Sequence, residues 1–283
     1  MTEKAQKLIR YNQAIQFKMA TLAECEYLIA EHRSALVYSG DNFLPTLAVQ
    51  GQPYLIVSPF EKAPLGVFVV SDKVHLGLAY IRPPYKYLDR QILEAFLDQV
   101  NIHYGFVASF DPHMIPLYLA FMQRCELQAY QFELLYPDLL PKGLPGVTLN
   151  LAQPKDVPYL DEMGFLTNSS SYVRRQEIWI AQDGSNRPVG IGIIQPHQSD
   201  EDHLDLGMFV NPNFQGRGIG RSIVIRLMEI IVQAGRIPVA GCFHKNFESR
   251  RTLDSAGMTC IGTISRLPFN KDLNGENPEG VGP

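Results

Sequence analysis

The residues with the clearest chemical potential lie in one short stretch, VNPNFQGRGIGR, at residues 210–221. This stretch joins a predicted strand to the first turn of a predicted amphipathic helix. Backbone N–H groups at the start of a helix have no partner within the helix, and the helix dipole makes that end positive. Gly216, Gly218 and Gly220 would let an anion approach this backbone closely. The stretch therefore predicts a pyrophosphate-binding turn.

Two other phosphate-binding turns fit this spacing poorly. The nucleoside-triphosphate loop requires Lys followed by Ser or Thr after its last glycine, and no such pair occurs here. The dinucleotide fingerprint requires G-x-G-x-x-G early in a βαβ unit, whereas these glycines alternate and follow a run of antiparallel strands. Arg217 and Arg221 lie beside the glycines and add positive charge.

Regular elements on both sides of the turn must hold it in place. A predicted strand over residues 203–210 leads into it, and a predicted helix over residues 219–234 follows. This helix carries Ile223 and Leu227 on its apolar face, and Gly235 ends it. The other elements predicted in this half are strands over residues 147–153, 177–182, 188–195, 237–243 and 259–267, a helix that begins near residues 154–156, a short helix around residues 171–176 and a helix over residues 246–256.

The first half of the chain follows the same plan. His75-Leu-Gly-Leu and His203-Leu-Asp-Leu occupy equivalent places in the two halves, and Pro84 and Pro212 follow them at equal distances. Both halves then run strand, turn, helix, strand, helix, strand, so we interpret them as a duplication. In the first half, helices are predicted over residues 1–35, 88–100 and 115–127.

This order of elements predicts an α/β (α+β) fold with two similar halves, each a mixed, largely antiparallel sheet flanked by helices. The Pro- and Gly-rich segment 137–146 stops regular structure and separates the halves. We therefore expect domains at residues 1–140 and 147–270. The polar, Gly- and Pro-rich residues 271–283 predict a flexible tail.

The second half resembles the GCN5-related N-acetyltransferase (GNAT) superfamily. That family carries Gln/Arg-x-x-Gly-x-Gly/Ala after a strand that ends in Val-x-Pro, which the stretch VNPNFQGRGIG matches. A second match, Asn246-x-x-Ser249 followed by Gly257-Met258, lies downstream at the family's offsets. The order of elements also agrees, so the resemblance covers about residues 147–268.

The resemblance implies that this half binds acetyl-CoA between its fourth and fifth strands, as an acyl donor. The backbone of Met208, Phe209 and Val210 would pair with the pantetheine arm and the acyl carbonyl. The helix after the next strand would contact the coenzyme through Asn246 and Ser249. The pyrophosphate would be held by the turn and its flanking charges, namely Gln215, Gly216, Arg217, Gly218, Ile219, Gly220 and Arg221.

The first half lacks this turn, because YKYLDR (residues 85–90) replaces the glycines with larger side chains. We expect it to bind no coenzyme A and to act as a degenerate partner. It would wall the acceptor cleft or complete the sheet of the second half, which lacks the family's usual final hairpin strand.

The catalytic residues are predicted less directly. The position of the family's usual acid, a Tyr, holds Leu253, and the position of a frequent acidic base holds Gly241. An amine with a pKa near 10 must still lose a proton before it attacks. Candidate bases are His203 and Asp205, which alternate onto one face of a strand, and His244 at the end of the next strand. The spacing of His and Cys residues matches no metal-ligand pattern, so no metal is expected.

These observations predict an acetyl-CoA-dependent N-acetyltransferase that acts by direct attack of an amine in a ternary complex. The alternatives are a non-catalytic acyl-CoA-binding or regulatory module, and a transferase of a longer acyl or aminoacyl group. The acceptor would be a small-molecule or peptide amine. A net charge of −4 and the absence of a basic run argue against nucleic acid as a partner. The chain shows no signal peptide or membrane span, so a cytoplasmic protein is expected.

Overall fold

The computed structural model describes residues 14–119, 121, 124–164 and 166–269. These residues form two compact units. Unit 1 draws on Met1–Ala129 and Gly262–Pro283, and unit 2 on Tyr130–Ile261.

The described elements follow one another as strands and helices that we number in chain order. In the first half they are β1 (Gln16–Met19), α1 (Leu22–Arg33), α2 (Phe43–Gln50), β2 (Gln52–Val57), β3 (Gly66–Ser71), β4 (His75–Ile81), α3 (Asp89–Gln99), β5 (Tyr104–Ala108), α4 (Met114–Leu119) and β6 (Glu126–Glu133). In the second half they are β7 (Thr148–Leu151), α5 (Val157–Glu162), α6 (Ser169–Arg174), β8 (Ile178–Gln182), β9 (Pro188–Pro196), β10 (His203–Val210), α7 (Ile219–Gln233), β11 (Ile237–Phe243), α8 (Phe247–Ala256) and β12 (Thr259–Pro268).

Unit 1 is built on a sheet with the strand order β1-β2-β3-β4-β5-β12. Its neighbours pair antiparallel except β4 and β5, which are parallel. The core under α3 is aromatic, with the Phe68 and Phe96 ring centroids 4.7 Å apart and Phe17 packed against both. Because Phe17 belongs to this core, the segment around it is a strand.

Two of the predicted helices in the first half need correction. Residues 16–19 form β1, and the helix begins only at Leu22, after Thr21 and Glu24 cap it reciprocally. The first part of this predicted helix, residues 1–13, lies outside the residues that the structure describes. The helix predicted over residues 115–127 is also wrong at its end, because Glu126 and Leu127 belong to β6.

Unit 2 has the strand order β6-β11-β10-β9-β8-β7. Strands β10 and β11 run parallel, while β7, β8, β9 and β10 pair antiparallel. Helix α7 lies on one face with Ile223, Leu227 and Ile231 fully buried. The predicted fold class, with mixed and largely antiparallel sheets flanked by helices, is confirmed.

Each unit includes the end of a strand from the other half of the sequence. Strand β6 continues from unit 1 into unit 2, where Leu134 N–H donates to Pro238 O on β11 (3.1 Å). Strand β12 ends in unit 1, where Ile264–Pro268 pair antiparallel with β5. The expectation that the first half completes the second half's sheet is therefore confirmed. The domains 1–140 and 147–270 stay a prediction, and the predicted flexible tail lies outside the described residues.

Candidate functional site

Strands β10 and β11 separate partway along their length. They pair at His203–Ile237, Leu204–Pro238 and Asp205–Val239, and the register ends there among the described residues. Strand β10 continues to Val210, still paired with β9 along its other edge. The backbone of β10 beyond Asp205 therefore presents N–H and C=O groups to an opening inside unit 2. An extended ligand can pair with such an edge as an added strand would.

The glycine turn follows the end of β10, beyond the last residue pair of β10 and β11. Gly216 and Gly218 adopt left-handed φ angles of 73° and 76°, and Gly218 caps α7 without any side-chain hydrogen bond. A Cβ on Gly216 would meet nothing within 4 Å. Within the described part of the chain, no group accepts a hydrogen bond from the backbone N–H groups of residues 216–221. The turn is thus an open set of donors suited to an anion.

The third glycine serves packing. A Cβ on Gly220 would lie 3.3 Å from Val210 Cγ2 and 3.4 Å from Met208 Sδ, so its absence lets α7 rest closely on β10. Ile219 is buried in the core beneath. The side chains of Met208 and Val210 belong to this core, and Phe209 packs on the opposite face. The backbone of these three strand residues is the part that faces the opening.

The polar residues predicted around the turn have different partners. Gln215 Nε2 donates to Val210 O (3.2 Å), which closes the turn onto the strand end. Arg217 is exposed, with its guanidinium 5.6 Å from the centroid of the Phe214 ring. Arg221 Nε donates to Ser255 O (2.8 Å), and a terminal nitrogen donates to Lys142 O (3.4 Å). Arg221 therefore ties α7 to the end of α8 and to the segment between the halves.

Helix α8 begins just after β11 and beside the opening. Asn246 Oδ1 accepts the Ser249 N–H (3.0 Å), so the two predicted residues form the helix cap. Phe247 next to them is 65% exposed. The structure thus brings the turn, the open edge of β10 and the start of α8 to the two sides of one strand separation.

The three candidate bases do not lie together. His203 and Asp205 share the face of β10 that also carries Phe209, opposite α7. Asp205 stands at the last paired position of β10 and β11. His244 follows the end of β11 and packs on Phe243, with ring centroids 4.5 Å apart. His244 lies seven positions after Ile237, the residue that pairs with His203, which is about 23 Å along an extended strand. Only His203 and Asp205 are neighbours.

Sequence reasoning missed Glu133 and Asp200, which flank His203. Asp200 Oδ2 lies 3.1 Å from His203 Nδ1, and Glu133 Oε2 lies 3.9 Å from His203 Nε2. Burial raises the pKa of the Glu133 carboxyl, and His203 partly opposes that rise. No local signal could have found Glu133, because it stands on β6, in the first half of the sequence.

The thiol of Cys242 contributes no nucleophile to this opening. Burial raises its pKa to about 11, so the thiol is protonated at neutral pH and behaves as a core residue. Among the described residues, no three His, Cys, Asp or Glu side chains are grouped as metal ligands would be. The described helices include none long and apolar enough to cross a bilayer.

Unit 1 shows the same strand separation without the turn. Strands β4 and β5 pair only at His75–Tyr104 and Leu76–Gly105. A 3-10 helix, Pro83–Leu88, follows β4 and buries Leu88 completely. The first residue of α3 is Asp89, whose carboxylate at a helix start disfavours an anion. This arrangement is consistent with the expectation that the first half binds no coenzyme.

Fold and site together define a protein with two acetyltransferase-type units in tandem, of which the second carries the glycine turn with Gly216 and Gly218 at left-handed φ angles. Family models agree: "Acetyltransferase (GNAT) family" matches residues 147–258, and "Acetyltransferase (GNAT) domain" matches residues 22–134. Together they span most of the chain. The chain belongs to the GNAT acetyltransferase family.

Solved structures support the fold. A GNAT-family acetyltransferase from Colwellia psychrerythraea superposes with a TM-score of 0.81 at 15% identity, covering 90% of this chain and 99% of that chain. A tandem GNAT protein from the clavulanic acid biosynthesis pathway gives 0.60 at 10% identity, covering 91% and 99%. A GCN5-related N-acetyltransferase from Sphaerobacter thermophilus gives 0.59 at 15% identity, covering 90% and 96%. No curated protein sequence matches the chain.

Proposed function

We propose that the chain is an acetyl-CoA-dependent N-acetyltransferase whose active site is the opening between β10 and β11. One observation carries the proposal. Among the described residues, the turn at residues 216–221 presents unpartnered backbone N–H groups at the end of β10 that is not paired with β11. A pyrophosphate needs such donors, and the thioester arm of the same molecule needs an open strand edge beside them.

The chain's residues fit this donor. Pyrophosphate oxygens would accept from the N–H groups around Gly216 and Gly218, and the exposed Arg217 would add a charge-assisted contact. The pantetheine arm would pair with the free edge of β10 at Met208–Val210. Acetyl-CoA supplies a thioester whose acyl group is transferable to a nucleophile. A backbone N–H of β10 facing the thioester oxygen would stabilise the negative charge that develops on it.

The acceptor would approach on the face of β10 that carries His203 and Asp205. An amine is protonated at neutral pH, and an imidazole or carboxylate on this face can take its proton. The thiol leaves with a pKa near 8.5 and therefore departs readily as thiolate. We expect the acceptor to be a small-molecule or peptide amine and the protein to be cytoplasmic.

A non-catalytic acyl-CoA-binding module is the second candidate. Leu253, at the position of the usual acid Tyr, is 3% exposed and packs in the core. Gly241, at the position of a frequent acidic base, has no side chain. A unit with these two replacements can keep the coenzyme site and lose turnover.

Calorimetry and turnover together separate the two candidates. Coenzyme A and acetyl-CoA are titrated into the protein, and thiol release from acetyl-CoA is then followed across a panel of small and peptide amines. Saturable binding with amine-dependent thiol release and an N-acetylated product supports the transferase. Binding without product favours the module, and absence of coenzyme binding would refute both.

A further inference from the structure

His203 is held between two carboxylates at the paired end of β10. Its Nδ1 lies 3.1 Å from Asp200 Oδ2 in the turn before the strand, and its Nε2 lies 3.9 Å from Glu133 Oε2 on β6. The side chains of His203 and Glu133 are each only 12% exposed. Three elements thus converge to fix one imidazole between two acidic groups.

Glu133 stands on the correct face for this contact. Its neighbours Tyr130 and Phe132 pack in the core beneath α7, so the alternation along β6 turns Glu133 to the opposite face. That is also the face of β10 that carries His203 and Asp205. Strand β6 lies next to β11, and β11 lies next to β10. The contact between Glu133 and His203 therefore spans β11 on the face where an acceptor would bind.

One oxygen of the Glu133 carboxylate has no hydrogen-bond donor among the described residues. Its Oε2 is buried and accepts no hydrogen bond from any residue that the structure describes. A buried acceptor without a donor costs free energy, so such groups are concentrated at functional sites. A protonated imidazole would supply the missing donor, because both of its ring nitrogens carry hydrogen.

We propose that His203 takes up the proton released by the acceptor amine and that Glu133, on the strand from the first half, is a positioning residue for this imidazole. This inference rests on the proposed function. The ammonium gives one proton to His203, the free amine forms the new N–C bond, and the thioester C–S bond breaks. The thiolate leaves with the bonding electron pair, and the second amine proton passes to the thiolate or to water. Asp200 Oδ2 lies 3.1 Å from Nδ1 of the same ring.

Several ionisable groups lie around His203. They are Glu133 on β6, Asp200 in the turn, His197 at the end of β9, whose ring centroid is 6.1 Å away, and Asp205 on the same face of β10. Carboxylates favour the protonated imidazole. Removing the charge of Glu133 should therefore move the acidic limb of the rate profile to lower pH.

The test compares kcat/KM against pH for the full chain and four variants, with acetyl-CoA and the best amine of the panel. We expect His203→Gln to lower kcat about 100-fold. Glu133→Gln should lower it about tenfold and shift the acidic limb to lower pH. Glu133→Asp, which keeps a carboxylate, should lower kcat less and shift the acidic limb less than Glu133→Gln does. Asp202→Asn changes an acid that is 82% exposed in the turn that also carries Asp200, and it should leave kcat and the acidic limb unchanged.

A double variant shows whether Glu133 acts through His203. If it does, Glu133→Gln combined with His203→Gln is no slower than His203→Gln alone. Thermal unfolding and coenzyme A titration confirm that each protein is folded and binds. Independent losses, or an unchanged pH profile in Glu133→Gln, would overturn the positioning role alone. Absence of amine acetylation in the wild-type protein that binds coenzyme A would overturn the proposed function and this role with it.

Discussion

Replacing Gly216 by Ala tests the proposed anion-binding turn, and replacing Gly235, at the other end of α7, is the matched control. Gly216 (φ 73°) precedes α7 and Gly235 (φ 71°) follows it, and neither has an atom within 4 Å of the position of a Cβ. Both substitutions therefore cause the same backbone strain without a steric clash. A left-handed L-residue costs roughly 1–2 kcal/mol. Each variant should lose at most about that much free energy of unfolding in urea denaturation, and less where the mutated turn relaxes out of the left-handed conformation.

Only the Gly216 variant should also lose coenzyme affinity. If its turn relaxes from the left-handed conformation, coenzyme binding must restore that conformation against about 1–2 kcal/mol, which corresponds to a roughly 5- to 30-fold higher Kd. Calorimetric titration of coenzyme A into both variants measures this difference. The Gly235→Ala protein should bind as the wild type does. Equal affinities for the two variants would refute the assignment of the turn as the pyrophosphate site.

Further predictions separate residues that contact the coenzyme from residues that hold the fold. Arg217→Gln should raise the Kd for coenzyme A several-fold and weaken the salt dependence of that Kd, as titrations at two salt concentrations would show. Arg221→Gln should mainly lower the melting temperature in thermal unfolding, because Arg221 donates to Ser255 O. In unit 1, burial alone would raise the pKa of Asp111, but the hydrogen bond and charge of His32 and two backbone N–H groups outweigh it and lower the pKa. The stabilisation from Asp111 is therefore present above pH about 4 and is lost as the pH falls through the lowered pKa. Asp111→Ala should cost about 3–5 kcal/mol at pH 7 and less at pH 3, as urea denaturation at the two pH values would show.

The parts of the site that depend on neighbouring residues are predictable from the sequence. The turn follows from glycine spacing and from the start of an amphipathic helix, both of which act over a few residues. The strand His203–Val210 is also predicted with its observed limits. The sequence also contains the capping box of Thr21 and Glu24, a local signal for a helix start at Leu22 that the prediction of one helix over residues 1–35 does not use.

Features that depend on distant pairing are not predictable in this way. Residues 16–19 become a strand because Phe17 packs against Phe68 and Phe96, and that contact leaves no trace in local periodicity. The functions of Arg221 and Gly220 also depend on the tertiary structure, because a charge and a glycine beside a phosphate-binding turn look the same whether they bind or pack. Glu133 stands 70 residues from His203 in the sequence, and only the strand order of unit 2 brings the two together.

The strand order also gives β6, which comes from the first half of the sequence, a structural role in unit 2. Strand β11 pairs with β10 only at its start, so its other edge would expose hydrogen-bonding groups along its length if β6 were absent. The residues of β6 from Tyr130 onward cover that edge, and Tyr130 and Phe132 extend the core beneath α7. The first half makes this contribution although its 3-10 helix Pro83–Leu88 carries no glycine, because that helix and β6 are separate parts of the sequence.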